Sequence, residues 1–191
     1  MQEKTIQDRK KDMIAIGRLL WEKNLTVGLS GNISGRVDED SFLITATQTC
    51  LGLLSEPDVL HVDTTGAARS EEGIPSTEWR LHAAVYQAFS DCHAMIHVHA
   101  LHTNAFFLKN DRLDPKILEA KFVLGDVPVV DQHTLNVEDC GPVLKAFKKN
   151  SLVVLRNHGC LAMGKDLFEC FVKLQTLEEA VQTEIILKWY S

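Results

Sequence analysis

Residues 94–99 read Ala-Met-Ile-His-Val-His, and side chains of two kinds alternate along them. Alternation with a period of two predicts a β-strand, with one apolar face turned to a core and Met95, His97 and His99 on the other face. The two histidines lie about 7 Å apart at Cα and can converge on one divalent ion. Such a pair can also lie on a solvated strand face, although Met95 argues against a fully wet one. The segment therefore predicts a strand that carries a candidate metal site.

Helical and strand-like patterns are mixed over the rest of the chain. Apolar residues at helical spacing predict helices over 8–23, 78–89, 138–149 and from 166 to the C-terminal end. Short apolar runs predict further strands over 42–45, 59–62, 127–130 and 152–155. The glycine-rich stretch 28–36 predicts a loop or a strand kept open for close backbone approach. With no repeat or long linker, we expect one α/β domain over residues 1–191.

The composition excludes several classes of protein. Of the 191 residues, 45% are hydrophobic and 24% charged, which is typical of a globular domain and argues against disorder. The net charge of −6 and the lack of a basic cluster argue against binding to nucleic acid. No apolar run is long enough for a membrane span or a signal peptide, so we expect no membrane partner. Five cysteines without a CxxC pair fit a reducing cytoplasm.

A zinc site needs a third and often a fourth ligand besides two histidines. The candidates are Glu78, His82, Cys92, His93, His102 and His158. His158 follows an apolar strand and precedes a glycine, a common position for active-site residues, although a turn histidine without a role fits the same pattern. Glu78 lies in the first turn of a predicted helix, where the helix dipole favours a carboxylate. His82 follows four residues later on the same helix face. It could be a metal ligand, a hydrogen-bond partner of a ligand, or a packed core residue.

A second feature is a possible anion site. Glycines surround Asn32, and hydroxyl groups occur at Ser30, Ser34, Ser76 and Thr77. Backbone N–H groups and hydroxyls at a helix entrance suit a phosphate, although glycine-rich loops are often only turns.

Taken together, these motifs resemble the class II aldolase/adducin family. The matching stretches are residues 31–34 (GNIS), 44–47 (ITAT), 75–82 (PSTEWRLH), 97–99 (HVH), 156–159 (RNHG) and 164–166 (GKD). Their order and spacing match the family over about residues 10–185, and several motifs in order are far more specific than one alone.

The resemblance implies a fold, a cofactor and an assembly. The fold is a three-layer αβα sandwich with a largely antiparallel central sheet. The cofactor is a zinc ion held by His97, His99 and His158, with Glu78 as an acidic residue that can touch the metal and acts as acid and base. The family's phosphate contacts fall on Gly31, Asn32, Thr47, Gln48, Ser76 and Thr77. Members are often homotetramers whose site lies at a subunit interface.

The resemblance also implies a reaction. We expect a zinc-dependent aldolase that cleaves a small sugar or sugar phosphate through a metal-stabilised enediolate. Relatives on the same scaffold instead act as dehydratases, epimerases or decarboxylases of sugar or sugar-acid phosphates, and the ligands do not separate these reactions. A third alternative is an adducin-like interaction module without catalysis. The presence of Glu78 and all three histidines argues against that alternative.

Two departures from the family's pattern affect the site. Thr47-Gln48 stands where relatives have Ser-Gly, and a glutamine side chain there predicts weaker phosphate binding. The family's catalytic tyrosine is absent after the strand over 127–130, where the chain continues to His133. The proton donor is then His133, Tyr190 near the C-terminal end, water, or no group at all.

Overall fold

Seven strands form one sheet in the computed structural model, which describes residues 4–69 and 73–190. The strands are β1 (Asn32–Arg36), β2 (Ser41–Thr45), β3 (Val59–Asp63), β4 (Ala94–Val98), β5 (Val129–Asp131), β6 (Leu152–Arg156) and β7 (Gly159–Gly164). Their order across the sheet is β3-β2-β1-β4-β7-β6-β5. Only the β5–β6 pair is parallel, so the sheet is largely antiparallel.

Helices cover both faces of this sheet. They are α1 (Ile6–Glu22), α2 (Trp79–Ala88), α3 (Leu101–Phe107), α4 (Leu118–Leu124), α5 (Gly141–Phe147) and α6 (Leu167–Trp189), with two short 3₁₀ turns at Leu51–Leu53 and Glu56–Asp58. Buried residues of α1, α3, α4 and α6 share one core, and those of α2 and α5 share the other. The predicted three-layer αβα sandwich is therefore confirmed.

Strand β4 lies in the centre of the sheet and contributes to both cores. Ala94, Ile96 and Val98 pack with the α1 and α6 layer, whereas Met95 packs with the α2 and α5 layer. The alternation predicted from residues 94–99 is thus confirmed, except that the strand ends at Val98. Because both faces are covered, the face that carries the histidines is not a solvated surface.

Some elements differ from the prediction. Strand β7 and helices α3 and α4 were not predicted, and α5 begins at Gly141 instead of residue 138 because Pro142 occupies its first turn. Helix α6 begins as predicted, since the Asp166 side chain accepts a hydrogen bond from the Glu169 backbone at 2.7 Å. Among the described residues, no helix is both long and apolar enough to cross a bilayer. The single domain over residues 1–191 stays a prediction, and residues 1–3, 70–72 and 191 lie outside the described ranges.

Candidate metal centre

Three histidines converge at one end of the central strands. His97 and His99 lie at the end of β4, and His158 lies in the turn between β6 and β7. Their nearest ligand atoms all lie within 4.8 Å of one another, and their ring centroids are 4.8 to 5.0 Å apart. The antiparallel pairing of β4 with β7, in which Val98 lies opposite Cys160, brings His158 to this end of β4. The pairing of β4 with β7 therefore brings His158 next to His97, although the two residues are far apart in the sequence.

The β6–β7 turn is shaped to hold His158 against β4. Asn157 has a φ of 68°, a left-handed conformation that asparagine adopts more readily than most residues. Gly159 follows, and a Cβ there would lie 2.4 Å from the Val98 carbonyl oxygen and 2.7 Å from His97 Nε2. Asn104 of α3 donates a hydrogen bond to the His158 carbonyl at 3.2 Å. A glycine is thus required for the close approach of the two strands at the site.

Glu78 is the acidic member of the site. It occupies the N-cap position of α2 and is buried, with 5% of its surface exposed. Its Oε2 accepts hydrogen bonds from His97 Nδ1 and, at 3.1 Å, from Asn32 Nδ2, while Oε1 lies 3.2 Å from His158 Nε2. Sequence reasoning placed Glu78 in the first turn of α2, and the structure places it one residue before that turn.

The donor atoms fit a bound cation. Within the described part of the chain, the buried atoms Glu78 Oε1 and His97 Nε2 have no hydrogen-bond partner, since the 3.2 Å contact of Oε1 with His158 Nε2 lacks hydrogen-bond geometry. Because His97 Nδ1 faces the Glu78 carboxylate, Nε2 is the ring atom left to bind a metal. Three imidazoles and one carboxylate are a donor set that suits zinc. The two unpartnered atoms are explained if an ion lies among these four side chains.

The electrostatics keep His99 and Glu78 in metal-binding form. Burial, with smaller contributions from His97 and His158, lowers the pKa of His99 to about 3, so its ring is neutral at pH 7. Burial by itself would raise the pKa of Glu78. Attraction to His97 and the nearby polar groups of His158 and Asn32 outweigh that effect, and they hold the pKa well below its usual range. The site therefore presents a carboxylate and at least one neutral imidazole.

A cavity of about 240 Å³ opens beside the histidines. All six predicted phosphate contacts line it: Gly31, Asn32, Thr47, Gln48, Ser76 and Thr77. Two backbone hydrogen bonds join the segments that carry them, from Thr47 to Ile74 at 2.9 Å and from Ser76 to Thr45 at 3.0 Å. The structure thus brings together, around one cavity, the residues predicted for metal and for phosphate.

Sequence reasoning missed part of this lining. The further lining residues are Leu29, Ala46, Thr49, Leu135 and Asn136, together with Ser30, which was noted only as a nearby hydroxyl. Asn136 Oδ1 accepts a hydrogen bond from Thr77 at 2.9 Å, which ties the loop after β5 to the start of α2. Leu135 is 85% exposed at the rim. Leu135 and Asn136 belong to no local motif, so only the folded chain could identify them.

Two of the predicted phosphate contacts, Gly31 before β1 and Gln48 after β2, have left-handed backbone conformations. Gly31 has a φ of 85°, and a Cβ there would lie 2.7 Å from the His97 carbonyl oxygen. Gln48 has a φ of 60°, the conformation that glycine adopts most readily and that costs other residues about 1–2 kcal/mol. The glutamine that departs from the family's pattern therefore stands where a glycine is favoured on backbone grounds.

The remaining candidates lie elsewhere. Cys92 is buried with its thiol against the Ala94 carbonyl, His93 is exposed just before β4, and His102 contacts Glu178 at 2.7 Å. Tyr190 is 86% exposed at the end of α6, and His133 is exposed after β5. Within the described residues of this one chain, neither of these last two lines the cavity. Their roles as proton donors stay predictions.

The chain is similar to several known proteins over most of its length. The family described as "Class II Aldolase and Adducin N-terminal domain" matches residues 11–185. The L-fuculose phosphate aldolase of Methanococcus maripaludis (strain C7) is 33% identical over 180 residues, which cover 92% of this chain and 96% of that protein. The 3-oxo-tetronate 4-phosphate decarboxylase of Haemophilus influenzae is 29% identical, with 91% and 85% covered. The crystal structure of L-fuculose-1-phosphate aldolase from Thermus thermophilus superposes with a TM-score of 0.85 at 27% identity, covering 95% of this chain and 94% of that one.

Proposed function

The chain belongs to the class II aldolase and adducin N-terminal domain family, and from that premise we propose that it is a zinc-dependent aldolase that cleaves a small sugar or sugar phosphate. It is an enzyme, since the relatives described above are enzymes and the chain spans most of their length. The observation that carries the proposal is the pair of buried, unpartnered atoms, Glu78 Oε1 and His97 Nε2, beside two further histidines.

The chemistry follows from the positions of these residues. His97, His99 and His158 would hold the zinc ion, which when bound would polarise the substrate's carbonyl and offset the negative charge that develops there. Glu78 stays ionised beside them and would accept the proton from the hydroxyl whose carbon becomes the aldehyde. Asn32 holds the carboxylate through its side-chain amide. A second group must then return a proton to the other fragment.

Decarboxylation of a sugar-acid phosphate is the second candidate function. The Haemophilus influenzae relative, which is named for such a reaction, matches 91% of this chain. Both reactions break the bond between the α-carbon and the β-carbon of a ketone and leave negative charge on the carbonyl oxygen. The same metal site would therefore serve either of them. The substrate therefore decides between them.

A test begins with metal and then compares substrates. We expect about one zinc ion per chain in protein purified without chelator and resupplied with zinc. With zinc present, we expect release of an aldehyde from one of a panel of ketose phosphates and unphosphorylated analogues. Carbon dioxide from a sugar-acid phosphate would instead favour the second candidate. A protein that binds no zinc would refute the proposed site.

We propose that phosphate binds at the six predicted contacts that line the cavity, and that the Gln48 side chain weakens this binding. We expect Gln48→Gly to bind inorganic phosphate more tightly by calorimetry, because the side chain no longer occupies the loop. We also expect the free energy of unfolding to rise by about 1 kcal/mol as the left-handed strain is relieved. The matched control is Gln87→Gly on the exposed face of α2, which should cost about 1 kcal/mol and leave phosphate binding unchanged. Tight binding by the unmutated protein without a gain in the variant would contradict this prediction.

We also propose a homo-oligomer, with a tetramer as the expected state, in which the end of α6 completes a neighbour's site. Trp189 and Tyr190 are 84% and 86% exposed, and large aromatic side chains are costly to leave in water. In this arrangement Tyr190 would be the second proton-transfer group. His133 is the alternative donor within the same proposal.

Deletion of residues 189–191 is expected to lower both the assembly state and the turnover, as measured by light scattering and by assay. Residue 191 lies outside the described ranges, and the expected effect comes from the two aromatic residues before it. Tyr190→Phe separates the two effects, since it keeps the ring for packing and removes only the hydroxyl. A truncated protein that keeps its mass and its rate would exclude the role and leave His133 as the next donor to test.

We propose that the protein is located in the cytoplasm, because its cysteines are free thiols. All five are free thiols in the structure, and three of them are buried. Such thiols persist in a reducing compartment.

A further inference from the structure

A buried chain of hydrogen bonds leads away from the Glu78 carboxylate into the core. Glu78 Oε2 contacts Asn32 Nδ2 at 3.1 Å, and Asn32 Oδ1 contacts His82 Nε2 at 2.6 Å. His82 Nδ1 contacts Ser34 Oγ at 2.6 Å, and Ser34 Oγ contacts the Tyr86 hydroxyl at 2.7 Å. Exposure is 5% or less at all of these residues. We call Asn32, Ser34, His82 and Tyr86 the positioning array.

The array results from two matched periodicities. On α2, Glu78, His82 and Tyr86 follow one another at intervals of four, about 6 Å along the helix. On β1, Asn32 and Ser34 lie two residues apart on one face, about 6.6 Å along the strand. Because these spacings are nearly equal, the polar side chains of strand and helix interleave in alternation. Asn32 also lies opposite His97 in the sheet, which places the array next to the metal-binding strand.

The direction of every hydrogen bond in the array follows from its first member. A carboxylate only accepts, so the Asn32 amide must turn its Nδ2 toward Glu78 and its Oδ1 toward His82. His82 must then carry its proton on Nε2. Its Nδ1 accepts from Ser34, whose oxygen accepts in turn from the Tyr86 hydroxyl. Each of the four hydrogen bonds is thus donated in the direction of Glu78.

Such a chain orients groups and does not conduct protons. A relay through Asn32 would need its amide to lose a proton at Nδ2 and gain one at Oδ1, which the neutral amide does not do readily. Burial, ahead of an opposing contribution from Glu78, lowers the pKa of His82 to about 4 and so keeps the ring neutral. At the far end, the Arg36 guanidinium packs 4.9 Å from the centroid of the Tyr86 ring. The array is thus held at both ends.

We propose that this array is a positioning device that fixes the orientation of the Glu78 carboxylate, with His82 held as the Nε2–H tautomer. Without the array, the Asn32 amide would be held only by its hydrogen bond to Glu78, and the two side chains could turn together away from their present positions. The effect on turnover rests on the proposed function. The tautomer does not, so it can be tested on its own.

The first test is long-range ¹H–¹⁵N NMR of the histidine rings at pH 7, with and without zinc. We expect one ring with a protonated Nε2 and an unprotonated Nδ1 in both states, and its signals should be absent from His82→Gln. If that variant does not fold, Tyr86→Phe should identify the same ring by shifting its signals. A His82 protonated on Nδ1, or doubly protonated, would overturn the proposal.

The second test separates positioning from packing. We expect Ser34→Ala to lower kcat by about 10-fold with little change in KM, the low end of the effect of removing a direct partner of a site residue, because Ser34 reaches Glu78 only through His82 and Asn32. Tyr86→Phe should lower kcat by a smaller factor, because Tyr86 lies one hydrogen bond farther from Glu78 than Ser34 does. The control is Val85→Ala, which opens a cavity on the same helix outside the array and should leave kcat unchanged. Equal losses of kcat in Ser34→Ala and Val85→Ala would overturn the positioning role.

The two tests also distinguish this inference from the proposed function. An unmutated protein without turnover on any substrate would refute the proposed function, and the array would then be judged by the tautomer of His82. The expected tautomer without an effect of Ser34→Ala on kcat would refute the positioning role alone.

Discussion

Glu78→Gln is expected to fold like the unmutated protein and to keep much of its zinc, but to lose turnover by about 10²–10⁴-fold. The substitution keeps the size of the side chain and its contact with Asn32, while it removes the group that would carry the proton. The three histidines remain to hold the metal. Zinc content, circular dichroism and kcat of the variant measure these three expectations separately.

The control for this variant is Glu169→Gln. Glu169 is also a hydrogen-bonded carboxylate, which accepts from the Lys165 backbone at 2.9 Å, but it lies beside Gly164, at the opposite end of β4 from His97. It should keep full turnover. If Glu78→Gln turned over as fast as the unmutated enzyme, Glu78 would have no role as acid or base.

His158→Ala is expected to weaken zinc binding by more than the 10–100-fold that loss of an outer partner typically costs. Two imidazoles and a carboxylate would remain, which is one ligand fewer than this site offers, and turnover should fall with the metal content. Titration with a competing chelator measures the affinity, and excess zinc in the assay shows whether the remaining protein can be rescued.

The matched control is His93→Ala, because His93 lies at the other end of β4 and is exposed. It should leave both zinc affinity and turnover unchanged. Full zinc affinity in His158→Ala would remove that residue from the set of metal ligands and leave the two histidines of β4 without the third.

Strand β7 shows what local sequence could not predict. Its residues 159–164 read Gly-Cys-Leu-Ala-Met-Gly and contain no β-branched side chain. They form a strand because they lie between β4 and β6 and hydrogen-bond to both. Helices α3 and α4, of seven residues each, were missed for a related reason, since so short a segment offers few turns of helical periodicity.

The site divides in the same way. The period of two on residues 94–99 was enough to place His97 and His99 on one face, and the family's motifs were enough to name six residues that line the cavity. The sequence predicted only part of the positioning array. The spacing of Glu78 and His82 put them on one helix face, but nothing local linked that face to Asn32 and Ser34.

By itself, then, the sequence determined the αβα fold, the pairing of two histidines on β4 and the family, because each of these depends on periodicity or on motifs within short stretches. Only the tertiary structure decided that His158 reaches His97, that Asn136 joins the cavity and that His82 is linked to Glu78 by hydrogen bonds through Asn32. These contacts join residues from 50 to 61 positions apart in the sequence. They depend on which strands pair and which helix packs on them, and no local pattern encodes that choice.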